Sequence, residues 1–430
     1  MAVWHVLKFG GTSVSSLQRW QTIARQARAK LEAGKRPAIV CSAISGVSND
    51  LEKLLREAPT GAYQATLDQI VARHRKLATE LGIDADTVIG DDLASLERLA
   101  LGASLTGEVS ARLHARTLAM GELMSTRLGA AWLNAQNIAT SWQDARDALD
   151  AQPNVGANEQ RHYLSSACEF HPDDALIAAW NALDEDVVLT QGFIARDADD
   201  ETVLLGRGGS DTSAAYFAAK LRAETLEIWT DVPGMYTANP RHIPAARLLK
   251  HLGYDEAQEI ATMGAKVLHP RCIDPVRRYG IPLQIKSTEA PEVQGTLIAQ
   301  DTPDFGAQVK AISAKAGVVL ISMDTLGMWQ QVGFLADAFA CFKRNGLSID
   351  LIATSETNIT VSLDPGANVL DNSTMKSVLR DLSVFCTARQ IGPCSAVSLV
   401  GHNIRALLHQ LGPALEAFEE QRIYMVSQAA

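Results

Sequence analysis

The sequence predicts an α/β protein: a mostly parallel sheet sandwiched by helices, followed by a smaller α+β region built from a repeat. Three observations carry that expectation. Short β-branched runs alternate with helical segments through the first two thirds of the chain. Small-residue turns stand directly after several of those runs. Beyond residue 300 the alternation gives way to two stretches of similar pattern.

In chain order, WHVLKF (4–9) is an apolar strand that ends in Gly10-Gly11-Thr12-Ser13, and a helix-periodic segment runs from Leu17 to Leu31. PAIVCSA (37–43) repeats the motif, with a small-residue turn from Ile44 to Asn49 and a helix over 50–58. Residues 62–150 are rich in Ala, Leu, Arg and Glu at helical spacing. Strands return at 186–195, 202–206, 225–231 and 282–287, with helices over 210–222 and 254–267. Strands alternating with helices imply parallel pairing, with ligands at the carboxyl ends of the strands.

Past a boundary near residue 305, VVLISMD (318–324) resembles AVSLVGH (396–402), and the helix-patterned 332–346 resembles 404–421. SIDLIATS (348–355) matches RIYMVSQA (422–429). The first copy, about 316–390, is expected to be complete. The second, about 306–315 plus 391–430, stops where the first would continue, so it is expected to lack about 35 residues. The chain is therefore expected to be a piece of a longer polypeptide, or to rely on a partner subunit for cover.

Composition narrows the function. The 430 residues suggest about three folding units. A formal charge of −10 with scattered Lys and Arg argues against sequence-independent nucleic-acid binding. No apolar run is long enough for a signal segment or a membrane span, so a cytoplasmic location is expected. The six cysteines form no CxxC pair, and the histidines show no metal-ligand spacing. They read as small buried residues of a reducing compartment.

Four turns could hold an anion: KFGGTS (8–13), SAISGVSN (42–49), GRGGSDTSAA (206–215) and TDVPGMYTANPR (230–241). Glycine permits close backbone approach, and successive amides at a helix start cradle a phosphate. Neither a Walker sequence nor GxGxxG is present, so a nucleotide site of another design is implied.

KFGGTSV, GRGGSDTSAA, WTDVPGMYTANPR and MGAKVLHPR (263–271) resemble the signature runs of the aspartokinases, within the amino-acid kinase family. The C-terminal repeat resembles that family's tandem ACT regulatory modules, so the resemblance spans essentially the whole chain. It implies the amino-acid kinase fold over 1–305 and ferredoxin-like ACT modules over 306–430. It also implies transfer of the γ-phosphoryl group of ATP to the β-carboxylate of L-aspartate, with Mg²⁺ arriving on the nucleotide.

An ionised carboxylate is already a nucleophile, so catalysis must come from positioning and charge neutralisation. Lys8 is the candidate cation for the β/γ-phosphates, with Gly10, Gly11, Thr12 and Ser13 as donors around them. The resemblance makes Asp211 the organiser of that lysine. Arg207 can fork onto a carboxylate. By resemblance Glu122 meets the substrate ammonium, Ser42 and Ser48 bond aspartate, and Thr230, Asp231, Tyr236, Arg241 and Lys266 surround the nucleotide. His269 is read as structural. In the repeat, the resemblance places effector contacts at Met328, Gly333, Phe334 and Leu335, and at Ser348, Ile349, Asp350, Ser355 and Glu356. Gln331 departs from the lysine-sensitive pattern, which leaves lysine or threonine as the feedback amino acid. Pairing of these modules implies a homo-oligomer. Two other readings stand beside this one: a family member acting on a different acid, and a catalytically silent amino-acid sensor.

Overall fold

The computed structural model describes residues 2–153, 158–264, 267–300, 306–325, 332–368, 370–410 and 412–427. It divides into two compact units, Met1–Pro303 and Asp304–Ala430.

The first unit opens with two strand–turn–helix steps: β1 (Trp4–Phe9), α1 (Leu17–Glu32), β2 (Arg36–Cys41) and α2 (Val47–Glu57). Long helices α3 (Gln64–Leu81), α4 (Ala85–Thr106) and α5 (Ala111–Ala135) follow, then β3 (Thr140–Trp142), α6 (Glu159–Leu164) and α7 (Asp174–Asn181). The chain continues through β4 (Val187–Gln191), β5 (Ile194–Arg196), β6 (Thr202–Leu204), α8 (Gly209–Lys220), β7 (Thr225–Thr230) and β8 (His251–Leu252). It closes with α9 (Tyr254–Thr262), α10 (Ile273–Arg278), β9 (Leu283–Ser287) and β10 (Thr296–Ile298).

The main sheet runs β3-β4-β2-β1-β7-β9-β10-β8, parallel except where β10 meets β9. Every residue of β1 is buried, and so are five of the six in β2. Helices cover both faces of such a sheet, which is why its strands read as continuous apolar runs rather than alternating ones. From β1 the chain places β2 on one side and β7 on the other. That reversal opens a crevice outside the carboxyl ends of β1, β2 and β7.

Several expectations are corrected here. The run 186–195 splits into β4 and β5, and β5 pairs with β6 in a separate two-stranded sheet. Phe193, between them, adopts a positive φ of 70°. The helix expected to reach 267 ends at Thr262. The sequence does not predict the short strands β3, β8 and β10, because two or three residues carry no usable periodicity.

In the second unit, β11 (Gln308–Asp324), α11 (Phe334–Arg344), β12 (Ile352–Thr354), β13 (Asn358–Leu363), α12 (Asn372–Leu382) and β14 (Thr387–His402) precede a short α13 (Gly412–Glu416). The four-stranded sheet has the order β12-β13-β11-β14, that of a ferredoxin-like βαββαβ unit. Phe334, Phe342, Val361, Val378 and Leu382 fill its core beneath α11 and α12. β11 and β14 run on past this core and pair with each other from Gln308–His402 to Asp324–Thr387. The second copy thus contributes two strands to a continuous ribbon. Its expected helix over 404–421 is instead a 3-10 segment, Ile404–Gln410, and the five-residue α13. The proline at 413 cannot donate to a helix that continues through it. The expected strand 422–429 is not formed over 422–427, and Gln428, Ala429 and Ala430 lie outside the described residues. The strand expected over 348–355 shortens to Ile352–Thr354.

Candidate active site

At the crevice lies a cavity of about 420 Å³, lined by residues from three of the four anion-holding turns and from α5. Lys8, the penultimate residue of β1, forms an ion pair with Asp211, Nζ to Oδ1 2.6 Å, both side chains largely shielded from solvent. Gly11 must be glycine: a Cβ there would lie 2.8 Å from the Ala43 carbonyl oxygen, so this residue lets the first turn sit against the second. The amide of Ser45 donates back to the Gly11 carbonyl at 3.2 Å.

Asp211 does not cap its helix. Gly208 holds that position with φ 68°, and no side chain caps α8. A Cβ on Gly208 would strike the His269 ring at 2.2 Å. α2 likewise starts at a glycine, Gly46, with no side-chain cap. Two helix starts at one cavity therefore keep amides free of side-chain acceptors, and together with the helix dipoles they favour an anion. The second oxygen of Asp211 accepts from the backbone amide of His269 at 3.3 Å. His269 was read as structural; its amide reaches the site, and burial lowers the pKa of its ring.

Glu122 stands on α5, 3% exposed. One carboxylate oxygen accepts from the Ala43 amide at 3.3 Å, and the other is buried without a partner. Burial pushes its pKa up to about 8, against the smaller opposing pull of that amide. Such a group calls for a cation. Thr126, one turn on, donates to the Glu122 carbonyl and accepts from Gln191 and Trp142, tying α5 to β4. Arg207 is exposed at the rim and has no carboxylate within ion-pair distance among the described residues.

The cavity therefore collects Lys8, Gly10, Gly11, Ser42, Ser48, Glu122, Arg207 and Asp211. Other sequence candidates stand outside its walls. Thr12 is exposed, and Ser13 is buried with its hydroxyl 3.2 Å from that of Thr288, so Ser13 faces the sheet rather than the cavity. Thr230 ends β7 and donates to Asp231 at 3.0 Å, while Tyr236 bridges to Leu248 and Arg241 is exposed. The amide and hydroxyl of Thr288 both donate to the Thr230 carbonyl, so Ser13 and Thr230 meet at Thr288, beyond the carboxyl ends of β7 and β9. Lys266 lies outside the described residues. Phe193 and Asn49 line the cavity and were not foreseen; a positive φ at a bulky residue leaves no trace in sequence.

In the second unit, Met328 and Gln331 lie outside the described residues. Gly333 caps α11 with φ 90° and no side-chain cap. Phe334 and Ile349 belong to the core of that unit rather than to its surface. Leu335, Ser348, Asp350, Ser355 and Glu356 are exposed, and Ser355 closes the β12–β13 turn by accepting from the Asn358 amide. Among the described residues no cluster of metal-ligating side chains occurs, and no helix is long and apolar enough to cross a membrane.

Comparison with known proteins places this geometry in context. The profile of the amino acid kinase family matches residues 4–287. The lysine-sensitive aspartokinase 3 of Escherichia coli strain K12 is 32% identical over 412 residues, covering 93% of this chain and 87% of that protein. The crystal structure of E. coli aspartokinase III with aspartate and ADP superposes with a TM-score of 0.87 at 31% identity, covering 99% of this chain and 94% of the other. The same enzyme with lysine and aspartate gives 0.73 at 30% identity, covering 99% and 93%.

Proposed function

This chain belongs to the amino acid kinase family and within it to the aspartokinases, and from that premise we propose how its own residues carry the reaction. The activity is ATP-dependent phosphorylation of L-aspartate to 4-phospho-L-aspartate. An oxygen of the β-carboxylate bonds to the γ-phosphorus as the bond to the bridging oxygen of ADP breaks.

The observation that carries the assignment is the company kept by the shielded Lys8–Asp211 pair: a glutamate oxygen and an arginine in one cavity, both without a partner among the described residues. Lys8 neutralises charge on the β- and γ-phosphates, held in place by Asp211, while the uncapped starts of α2 and α8 supply amides. Arg207 forks onto a substrate carboxylate. Glu122 receives the α-ammonium group, and Ser42 and Ser48 add hydroxyl contacts. Thr12, Thr230, Asp231, Tyr236, Arg241 and Lys266 surround the nucleotide.

Both oxygens of Asp211 already have partners, so the donor set fits an Mg²⁺ carried on phosphates and water rather than a protein cage. Such an ion would offset phosphate charge. The second unit binds a feedback amino acid. Lysine is favoured, because the relatives above are lysine-sensitive or lysine-bound, with contacts around Gly333, Leu335, Asp350 and Glu356. The partly uncovered ribbon of β11 and β14 pairs subunits into a homo-oligomer.

A coupled assay of ADP release with L-aspartate, with L-glutamate and with no acceptor tests the reading. Turnover with aspartate alone supports it. Equal turnover with glutamate would reassign the substrate, and no turnover would leave an amino-acid sensor.

A further inference from the structure

A second cavity of about 340 Å³ lies in the first unit between α4 and α5, bounded also by the Ala145–Asp147 turn and β6. None of its lining residues is shared with the catalytic cavity. Its walls are two facing helical stripes. Asp92, Ser95 and Leu99 lie at i, i+3 and i+7 on α4, and Arg116, Met120 and Leu123 lie at i, i+4 and i+7 on α5.

The charges do not cancel. Arg146 is neutralised by a two-point pair with Asp144 and donates its remaining nitrogen to Thr202 at 3.0 Å. Asp92 is taken by Arg127 at 3.0 Å. Arg98 donates only to the neutral Ser95 hydroxyl at 2.8 Å, and Arg116 has no hydrogen-bond or ion-pair partner among the described residues. Two guanidinium groups thus face one concavity without a counter-charge, above an apolar floor of Leu99, Met120 and Leu123.

The geometry points to an auxiliary site for a small organic anion, its carboxylate or phosphate held by Arg98 and Arg116 and its hydrocarbon body resting on Met120 and Leu123. Guanidinium pairs suit planar or tetrahedral oxyanions through paired N–H donors. A chain of several carbons fits the volume, as small-ligand sites go. Occupancy would be felt at the catalytic cavity, since Met120 and Leu123 bracket Glu122 on the same helix and that helix is pinned through Thr126. This site does not depend on the assigned reaction.

Isothermal titration of the full chain, with the catalytic cavity saturated by ADP and aspartate, tests it with three probes: 3-methylbutanoate, isobutyl phosphate and inorganic phosphate. Binding of either organic anion, weakened about tenfold or more in Arg98→Ala/Arg116→Ala, is the expected result. The same weakening should appear in Arg98→Gln/Arg116→Gln, whose aliphatic stems remain. The two organic probes separate a carboxylate from a phosphate ester as the preferred head group. Basal turnover in both double variants should stay near wild type. Inorganic phosphate binding as tightly as both organic probes would remove the role of the apolar floor. No binding up to about 10 mM, or binding unchanged in the double variants, would overturn the site.

Discussion

The two units put their strand ends and paired strands to different uses. In the first, two turns at the catalytic cavity are pressed against neighbours, Gly11 against the Ala43 carbonyl and Gly208 against the His269 ring. The second builds its sheet around two long strands, only part of whose length is covered by α11 and α12. Close packing fixes backbone amides to within the tolerance that phosphoryl transfer requires. A ribbon with a partly open face leaves room for a partner and for movement. The proposed function puts chemistry on the first arrangement and regulation on the second, and variants can set the two apart.

The largest effect belongs to the ion pair. Lys8→Ala should lower kcat by about 10²–10³, and Asp211→Asn should follow it closely, since each acts through the same phosphates. Circular dichroism should show both variants folded. Turnover within about tenfold of wild type in either would break the assignment. Amino-acid binding to the second unit, followed by titration calorimetry, should be untouched.

Next comes a variant confined to the compact half of the second unit. Phe342 is 1% exposed, and Phe342→Ala should destabilise that unit by about 3–5 kcal/mol. Calorimetry should then resolve an early transition for the second unit while the first keeps its melting temperature. A single transition shifted as a whole would mean that the two units unfold together.

Glu122 joins function to stability. Its pKa is raised to about 8 from the ordinary 4.5, so folding binds a proton that the unfolded chain has lost over that interval. Stability of the ligand-free protein should therefore fall as pH rises from about 4.5 to 8, and the deficit persists above it. Glu122→Gln removes the titration and should raise stability at pH 8 by on the order of a few kcal/mol, read as a higher Tm. The same variant should weaken aspartate binding more than ATP binding. In the wild type the KM for aspartate should drop between about pH 6 and 8, where the carboxylate forms without cost to the incoming ammonium. A flat KM profile, or unchanged stability in the variant, would remove the charge from this role.

Much of this is legible in the sequence. β1 and β6 announce themselves by apolar runs that stop at glycine, and the turns after them bring Lys8, Gly11, Arg207 and Asp211 to one cavity. Glu122 carries no such mark. It sits inside a 25-residue helix, and only family resemblance singled it out. His269 reaches Asp211 through its amide, a contribution that no side-chain pattern encodes. Ser13 shows a related ambiguity: a turn hydroxyl can face either way, and here it lies 3.2 Å from the hydroxyl of Thr288. In the second unit Gly317 does not break β11 as a strand-ending glycine would. The strand shifts register around it and continues.

Arg207 should yield a more modest effect. Arg207→Lys keeps the charge and loses the planar fork, so KM for aspartate should rise about tenfold with kcat changed little. An unchanged KM would move Arg207 away from the substrate.

The smallest folding effect is expected at the open end of the ribbon. Ile312 stands opposite Leu399 and Ala314 opposite Val397, so Ile312, Leu399 and Val397 share one face of the β11–β14 pair. Ile312 and Val397 are each 47% exposed, so trading them for aspartate removes little buried area within one subunit. The change in its own stability should stay within about 0.5 kcal/mol. Subunit pairing is another matter, because a charge on each side of a self-complementary contact meets its symmetry copy. Ile312→Asp/Val397→Asp should therefore move the species seen by sedimentation velocity to a smaller size without altering circular dichroism. If the double variant keeps the wild-type sedimentation coefficient, this face does not join subunits. A wild type that already sediments as a monomer at every concentration would say the same.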